Sequence, residues 1–341
     1  MSKTETTRWA SPPDGAPPTG LVTRVIGWAD DVQRRHGALG FPWAVIRKYG
    51  DDDGGRAAAL ITYYGFLSVF PLLLLGVAIV SRVLAGNPEL RRRLVTATVP
   101  SVLRPTVEHA VTTLPASTVP FIAGLIGLVF AGTGVVFSAY HTLNDVAAVP
   151  RRLRFALFPR YLRVFVMLMV LMLGAGAVGA LTVVATALPT LPGVERVLAV
   201  LGSALIIFVV LLLGVRLLLA RPAPFRAVWP GAAPGAVAVA LLLALAAPLL
   251  ARFVSRSGPV YGSFATVAGL FAFFYLVSQV LVYSAEVAAV RYAGLWPRAL
   301  DPKRPTAADI RGFTLLAREQ ERIPAARIDL RLASGDCRRP N

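Results

Sequence analysis

VLAVLGSALIIFVVLLLGVRLLLA, residues 197–220, decides the fold class, with Arg216 as its sole charged side chain. A helix of this length reaches across the ~30 Å hydrocarbon core of a bilayer, where lipid offers no partner to an unpaired backbone group. Five further stretches, 58–81, 119–143, 161–188, 228–250 and 263–290, are also continuously apolar rather than alternating. That pattern favours helices over a barrel. The sequence therefore predicts an all-α, polytopic integral membrane protein with six transmembrane helices.

Composition agrees. The chain has 341 residues, 56% hydrophobic and 16% charged, with a mean hydropathy of +0.64. An ordinary water-soluble enzyme is excluded. The 29 Gly and 26 Pro have no period, which excludes a collagen-like or linker protein. Cys337 is the single cysteine and lies in a polar tail, so no disulfide framework or cysteine metal site is expected.

The flanks set orientation. The net charge is +17. In so apolar a chain this reads as the bias of Lys and Arg toward cytoplasmic loops and anionic head groups, not as specific nucleic-acid binding. With the amino terminus inside, the inner segments carry 25 Lys and Arg and the outer loops 8. Both termini are then expected in the cytoplasm. Residues 1–20 read as a disordered Pro-rich tail, 21–57 as a cytoplasmic or interfacial amphipathic segment with one or two surface helices, and 291–341 as a basic cytoplasmic tail. In the outer loop, 82–118, Asn87-Pro88-Glu89-Leu90 could start an interfacial helix bearing Arg91, Arg92 and Arg93.

Small residues four apart mark expected helix contacts: Gly127 with Ala131, Ala175 with Gly179, and Gly231 with Gly235. Prolines interrupt the first span (Pro71) and the fifth (Pro234, Pro248). The spans also carry polar stripes. Tyr275, Gln279, Tyr283 and Glu286 fall within about 80° of one another on the sixth span. On the second, Gly134, Ser138, His141 and Asp145 fall within about 60°, with Asn144 adjacent. The first span adds Tyr63, Tyr64 and Ser68, and the fourth adds Arg216. Glu286, Asp145, His141, Arg216 and the tyrosine pair all lie toward the inner half. Two readings are open: a polar cavity opening inward, or structural pairing between helices, Arg216 with Glu286 for instance. Asp51, Asp52 and Asp53 precede the first span, where carboxylates suit a helix amino terminus.

Three stretches carry a family resemblance. GGRAAALITYYGFLSVFPLLLL (54–75), GLVFAGTGVVFSAYHTLNDVAAVPRRLRFALFPRYLRVF (127–165) and VYGSFATVAGLFAFFYLVSQVLVYSAEVAAV (260–290) resemble, in order, the opening, middle and closing signatures of the YihY / virulence factor BrkB family. The sequence departs from those signatures at Phe137, Phe274 and the pair Tyr283-Ser284. The resemblance implies a six-helix inner-membrane protein with both termini inside. It carries over Ala58, Tyr63, Tyr64, Ser68, Pro71, Ser138, Asn144, Tyr261, Gly262, Ser263 and Glu286 as signature residues. It also brings an association with serum resistance and envelope lipid transport, and an older label, ribonuclease BN.

The residues themselves argue against the older label. His36, His109 and His141 are scattered, no HExxH motif occurs, and no lysine follows a glycine as a P-loop requires. No cofactor and no enzymatic activity are expected. The expected function is a transporter or flippase-like carrier of a lipid or amphipathic envelope component. The alternative is a non-transporting scaffold acting through helix packing and its basic tails. Lining or gating candidates are Tyr63, Tyr64, Ser68, Pro71, Ser138, His141, Asn144, Asp145, Arg216, Tyr275, Gln279, Tyr283 and Glu286. The expected partners are the bilayer and its anionic lipids, a lipid-like substrate, and a second copy of the chain.

Overall fold

A computed structural model describes residues 21–35, 37–83, 104, 109, 118–187, 194–261, 263–301, 304–325 and 327–328. The Pro-rich tail, the cap at Asn87 and Gly262 lie outside these. Two short helices, α1 (Leu21–Arg35) and α2 (Gly37–Asp51), precede six long ones. The long helices are α3 (Gly54–Val83), α4 (Thr118–Val146), α5 (Leu157–Ala187), α6 (Val194–Leu218), α7 (Phe225–Tyr261) and α8 (Ser263–Ala293). A last helix, α9 (Ala307–Glu319), follows. No strand occurs among the described residues.

Each of the six long helices contains a stretch long and apolar enough to cross a membrane. They agree with the sequence to within a few residues, except that α7 continues to Tyr261. At 37 residues it is about 55 Å long, so it outruns the hydrocarbon core at one end. It continues through Pro234 and Pro248, as α3 does through Pro71. Only 11 to 33% of each span is buried. Most of the apolar surface thus faces outward, as it must when the solvent is lipid.

The spans form a ring in chain order, each against the next, and α8 closes on α3. Helix α4 also touches α6 and α8, so it sits innermost. Small residues decide the closest approaches. On α4, a β-carbon at Gly127 would come within 2.9 Å of the Pro71 ring, and one at Gly134 would overlap the Tyr64 ring. Ala131, between them, is buried. Gly231 and Gly235 of α7 bring its backbone against Ser284 and Ala288 of α8. The third stripe behaves otherwise. Ala175 is exposed and Gly179 has nothing near its missing β-carbon among the described residues, so this pair joins none of the described helices. Instead Gly174 receives Val210, and Gly202 on α6 receives Leu181. Four-residue spacing finds a smooth face without saying which way it points.

Asn144 ties α4 to the end of α6. Its amide nitrogen donates to the Tyr140 and Leu218 carbonyls, and its oxygen accepts from the Ala220 N–H. These bonds satisfy backbone groups that a helix end leaves open. Asn144 therefore joins helices.

The described terminal segments meet on one face of the bundle, the termini face. Gly294 ends α8 in the left-handed conformation (φ 60°), where glycine pays no steric cost, and Leu295 N–H returns to the Val290 carbonyl. The chain then folds back over the bundle. Arg298 is buried between Asp51 of α2 (2.8 Å) and Asp309 of α9 (3.0 Å). Asp30 of α1 is fully buried and accepts from Leu300 N–H, and Gln33 donates to the Arg298 carbonyl. Residues 294–301 and 304–325 thus form a cap docked on the bundle. Helices α1 and α2 are clamped beneath it by polar contacts, not held by the membrane surface alone. Trp28 and Val25 remain exposed on α1, keeping an apolar face for that surface.

Candidate functional site

The second-span stripe lines a cavity of about 680 Å³ opening at the termini face. Tyr64, Gly134, Ser138, His141 and Asp145 all contribute, joined by Asp52, Asp53, Arg56, Arg151, Arg154 and Arg160. Leu60, Phe137, Phe155 and Val282 supply an apolar wall. The side chains span from membrane depth to the surface, so the cavity is amphipathic. The hydroxyl of Ser138 donates to the Gly134 carbonyl one turn back, and that of Ser68 to Gly65, as polar side chains in lipid-embedded helices commonly do.

Glu286 lies behind this cavity. It is fully buried, and its partner is Lys48 of α2, with Nζ 3.1 Å from Oε2. Lys48 Nζ also donates to Asp52 and to the Val146 carbonyl. Neither oxygen of Glu286 has a hydrogen-bond partner among the described residues, so Lys48 meets it as an ion pair. Burial works against the Lys48 charge, but the Glu286 and Asp52 carboxylates outweigh it and hold its pKa above the ordinary value. Burial raises the pKa of Asp52 despite Lys48 beside it. One ammonium thus serves two buried carboxylates, and Asp52 connects this triad to the cavity wall.

This arrangement replaces the pairing of Arg216 with Glu286. Arg216 is exposed on α6, in its last turn, where a cation suits the helix dipole and anionic head groups. Asp51 and Asp52 also turn out to be ion-pair partners, for Arg298 and Lys48, rather than helix caps. Asp53 adopts φ 53° at the turn into α3, and its carbonyl accepts from Arg56 and Ala57.

The sixth-span stripe splits. Tyr283 stacks on Tyr49 of α2 at 4.3 Å, and Gln279 accepts from the Tyr49 hydroxyl at 2.5 Å. Both line a second, almost wholly apolar groove of about 530 Å³ between α7 and α8, together with Gly231 and Gly235. Tyr275 and Tyr63 are exposed at the lipid-facing surface, Tyr63 edge-on to Tyr64 at 5.1 Å. Tyr261 and Ser263 end α7 and begin α8.

The docked cap reaches the cavity rim. Arg154 pairs with Asp145 at 2.7 Å and with Glu319 of α9 at 3.3 Å, while Arg152 binds Glu321 at 2.8 Å. Burial and the neighbouring Asp145 charge push the Glu319 carboxyl up to about 7, against the pull of Arg154. Because the folded form keeps a proton that the unfolded chain releases, this group's contribution to stability is full below its ordinary pKa and is lost as pH rises through about 7. Hydrogen exchange over residues 307–321 should therefore quicken between about pH 4.5 and about pH 7, beyond the intrinsic change, and Glu319→Gln should abolish that excess. Equal excess in both proteins would refute the assignment.

The sequence signal for this cap is Thr306-Ala307-Ala308-Asp309. Thr306 accepts from the Asp309 N–H and Asp309 from the Thr306 N–H, a reciprocal capping box that starts α9. Among the described residues, no three His, Cys, Asp or Glu side chains gather as metal ligands.

Comparison with known proteins gives the lineage. The family model for Virulence factor BrkB matches residues 45–307, which takes in the cavity, the triad and all six spans. A Dickeya dadantii (strain 3937) protein, Dda3937_02003, itself uncharacterized, is 28% identical over 304 residues, covering 82% of this chain and 88% of that protein. No solved structure matches.

Proposed function

The chain belongs to the virulence factor BrkB family of membrane proteins, and from that premise we propose that it is a transporter or flippase-like carrier of a lipid or amphipathic envelope component. It works in the plasma membrane with both termini in the cytoplasm, as the count of 25 inner against 8 outer Lys and Arg supports. The observation that carries the reading is the 680 Å³ cavity, polar and charged on one wall and apolar on the other. Its volume suits a small-molecule ligand, and its two walls suit one with unlike ends. The reading includes no catalytic step and no cofactor.

The test is lipid translocation in proteoliposomes made with native lipid extract. Wild type should exceed empty vesicles, and Ser138→Phe, which fills the cavity from α4, should bring the flux down to the empty-vesicle rate. A wild type no faster than empty vesicles would overturn the carrier reading. The alternative, a scaffold that moves nothing, is favoured by one feature, the outward Ala175–Gly179 face, which could seat a second copy.

A further inference from the structure

The charges around the cavity do not balance. Asp52 is taken by Lys48, Asp53 by Arg56 at 3.3 Å and Asp145 by Arg154 at 2.7 Å. Two arginines remain. Among the described residues, neither Arg151 nor Arg160 has a carboxylate partner, yet both line the cavity. Arg160 sits 5.6 Å from the Phe137 ring and 5.8 Å from the Tyr161 ring. Aromatic faces hold a cation without neutralising it. Its Nε is buried and has no hydrogen-bond acceptor. A donor left in that condition is costly unless a ligand supplies the acceptor. His141, Asp145, Arg151, Arg154 and Arg160 all line this one cavity.

We propose, building on the carrier reading, that the cavity takes a phosphate group. The group is held between the guanidiniums of Arg151 and Arg160, with the rest of the ligand along Leu60, Phe137 and Phe155. Arg151 comes from the 3-10 turn Arg151–Leu153 and Arg160 from the first turn of α5, so the two forks reach the ligand from separate elements. A tetrahedral phosphate has oxygens enough to accept from both, whereas a planar carboxylate is satisfied by a single fork. The apolar wall beside them gives a lipid-borne phosphate somewhere to rest its glycerol and first methylenes. A soluble phosphate ester shares the head-group chemistry and lacks that second contact.

The experiment titrates the full-length protein in detergent micelles by native mass spectrometry, with dioleoyl phosphatidic acid, with dioleoylglycerol, and with phosphatidic acid against inorganic phosphate. Wild type should prefer phosphatidic acid over dioleoylglycerol by about tenfold or more, and R151Q/R160Q should erase that preference. R151K/R160K should restore part of it, because charge returns without the fork. R216Q, which removes an exposed arginine on another helix, should leave it intact and so controls for nonspecific charge. Competition by millimolar inorganic phosphate would support a phosphate site that needs no lipid tail; absence of competition would support one that takes its phosphate from lipid. Equal binding of the two lipids to wild type would overturn the proposal, as would a preference that survives in R151Q/R160Q.

The two readings fail separately. If wild type moves no lipid in proteoliposomes but shows an arginine-dependent phosphate preference, the carrier reading falls and the phosphate site stands. If flux is present and the preference ignores both arginines, the site falls and the carrier stands.

Discussion

Lys48→Met should cost the protein about 3–5 kcal/mol of stability, the range seen when one partner of a buried charge cluster is removed. In the native protein a single ammonium faces Glu286, Asp52 and the Val146 carbonyl. Methionine fills much of the same volume, so packing is largely preserved. What remains is two buried carboxylates without a cation. They must take up protons, draw in water or part the helices, and each route is unfavourable. Thermal unfolding in detergent, followed by tryptophan fluorescence, should show a sharply lower midpoint and a smaller yield of monodisperse protein. Glu286→Gln keeps the shape and leaves Lys48 its pairing with Asp52, so it should cost much less. The double variant should recover part of the Lys48→Met loss, since the uncompensated charge is smaller. A Lys48→Met protein as stable as wild type would show that this ion cluster does not hold α2 to the bundle.

The second large effect belongs to Gly231. A β-carbon there would overlap the backbone oxygen of Ser284 and press on Ala288. The obstacle is the helix itself, which no rotamer change can move. Gly231→Ala should thus cost about 3 kcal/mol or more, at the upper end for overpacking, and should loosen α7 from α8. Gly179→Ala is the matched control. It adds the same methyl group to a helix at a position with nothing near it, and should be neutral or slightly stabilising, as alanine favours helix. Parallel melting curves decide the matter. Equal midpoints would mean that the α7–α8 contact can slide apart at little cost.

The spans were legible because the bilayer selects for length and apolarity, both local properties of sequence. The cavity was half legible. Gly134, Ser138, His141 and Asp145 lie on one side of α4 by helical periodicity alone, and the structure keeps them together. Periodicity says nothing of partners, however. Glu286 stood out as a carboxylate in a span, but its cation comes from α2, in the amino-terminal segment, and no period links the two. Arg216 matched it in depth and faces outward instead, because lipid head groups accept an arginine as readily as a carboxylate does. Ala175 and Gly179 illustrate the same limit for packing. Arg151 and Arg160 were counted as loop charge, and only the fold reveals that their neighbours are already paired. The docked cap had a sequence signal in Thr306 and Asp309, within a segment read from its charge as a basic cytoplasmic tail.

The closing of α1 and α2 by Lys48, Asp51, Asp30 and Gln33 bears on biogenesis. Their partners, Glu286, Arg298 and Leu300, are made long after them, 265 residues later for Gln33 with Arg298 and 270 for Asp30 with Leu300. Until those are made the first helices have only their local ion pairs, Asp30 with Arg34, Asp51 with Arg47 and Lys48 with Asp52. The ring can be threaded span by span, but its amino-terminal seam is sealed only once α8 and the cap arrive, a long-range contact that forms late because it must. A nascent chain stalled before residue 286 is therefore an open bundle in which Lys48 has Asp52 beside it but not yet Glu286, so that α2 lacks its seat against α8.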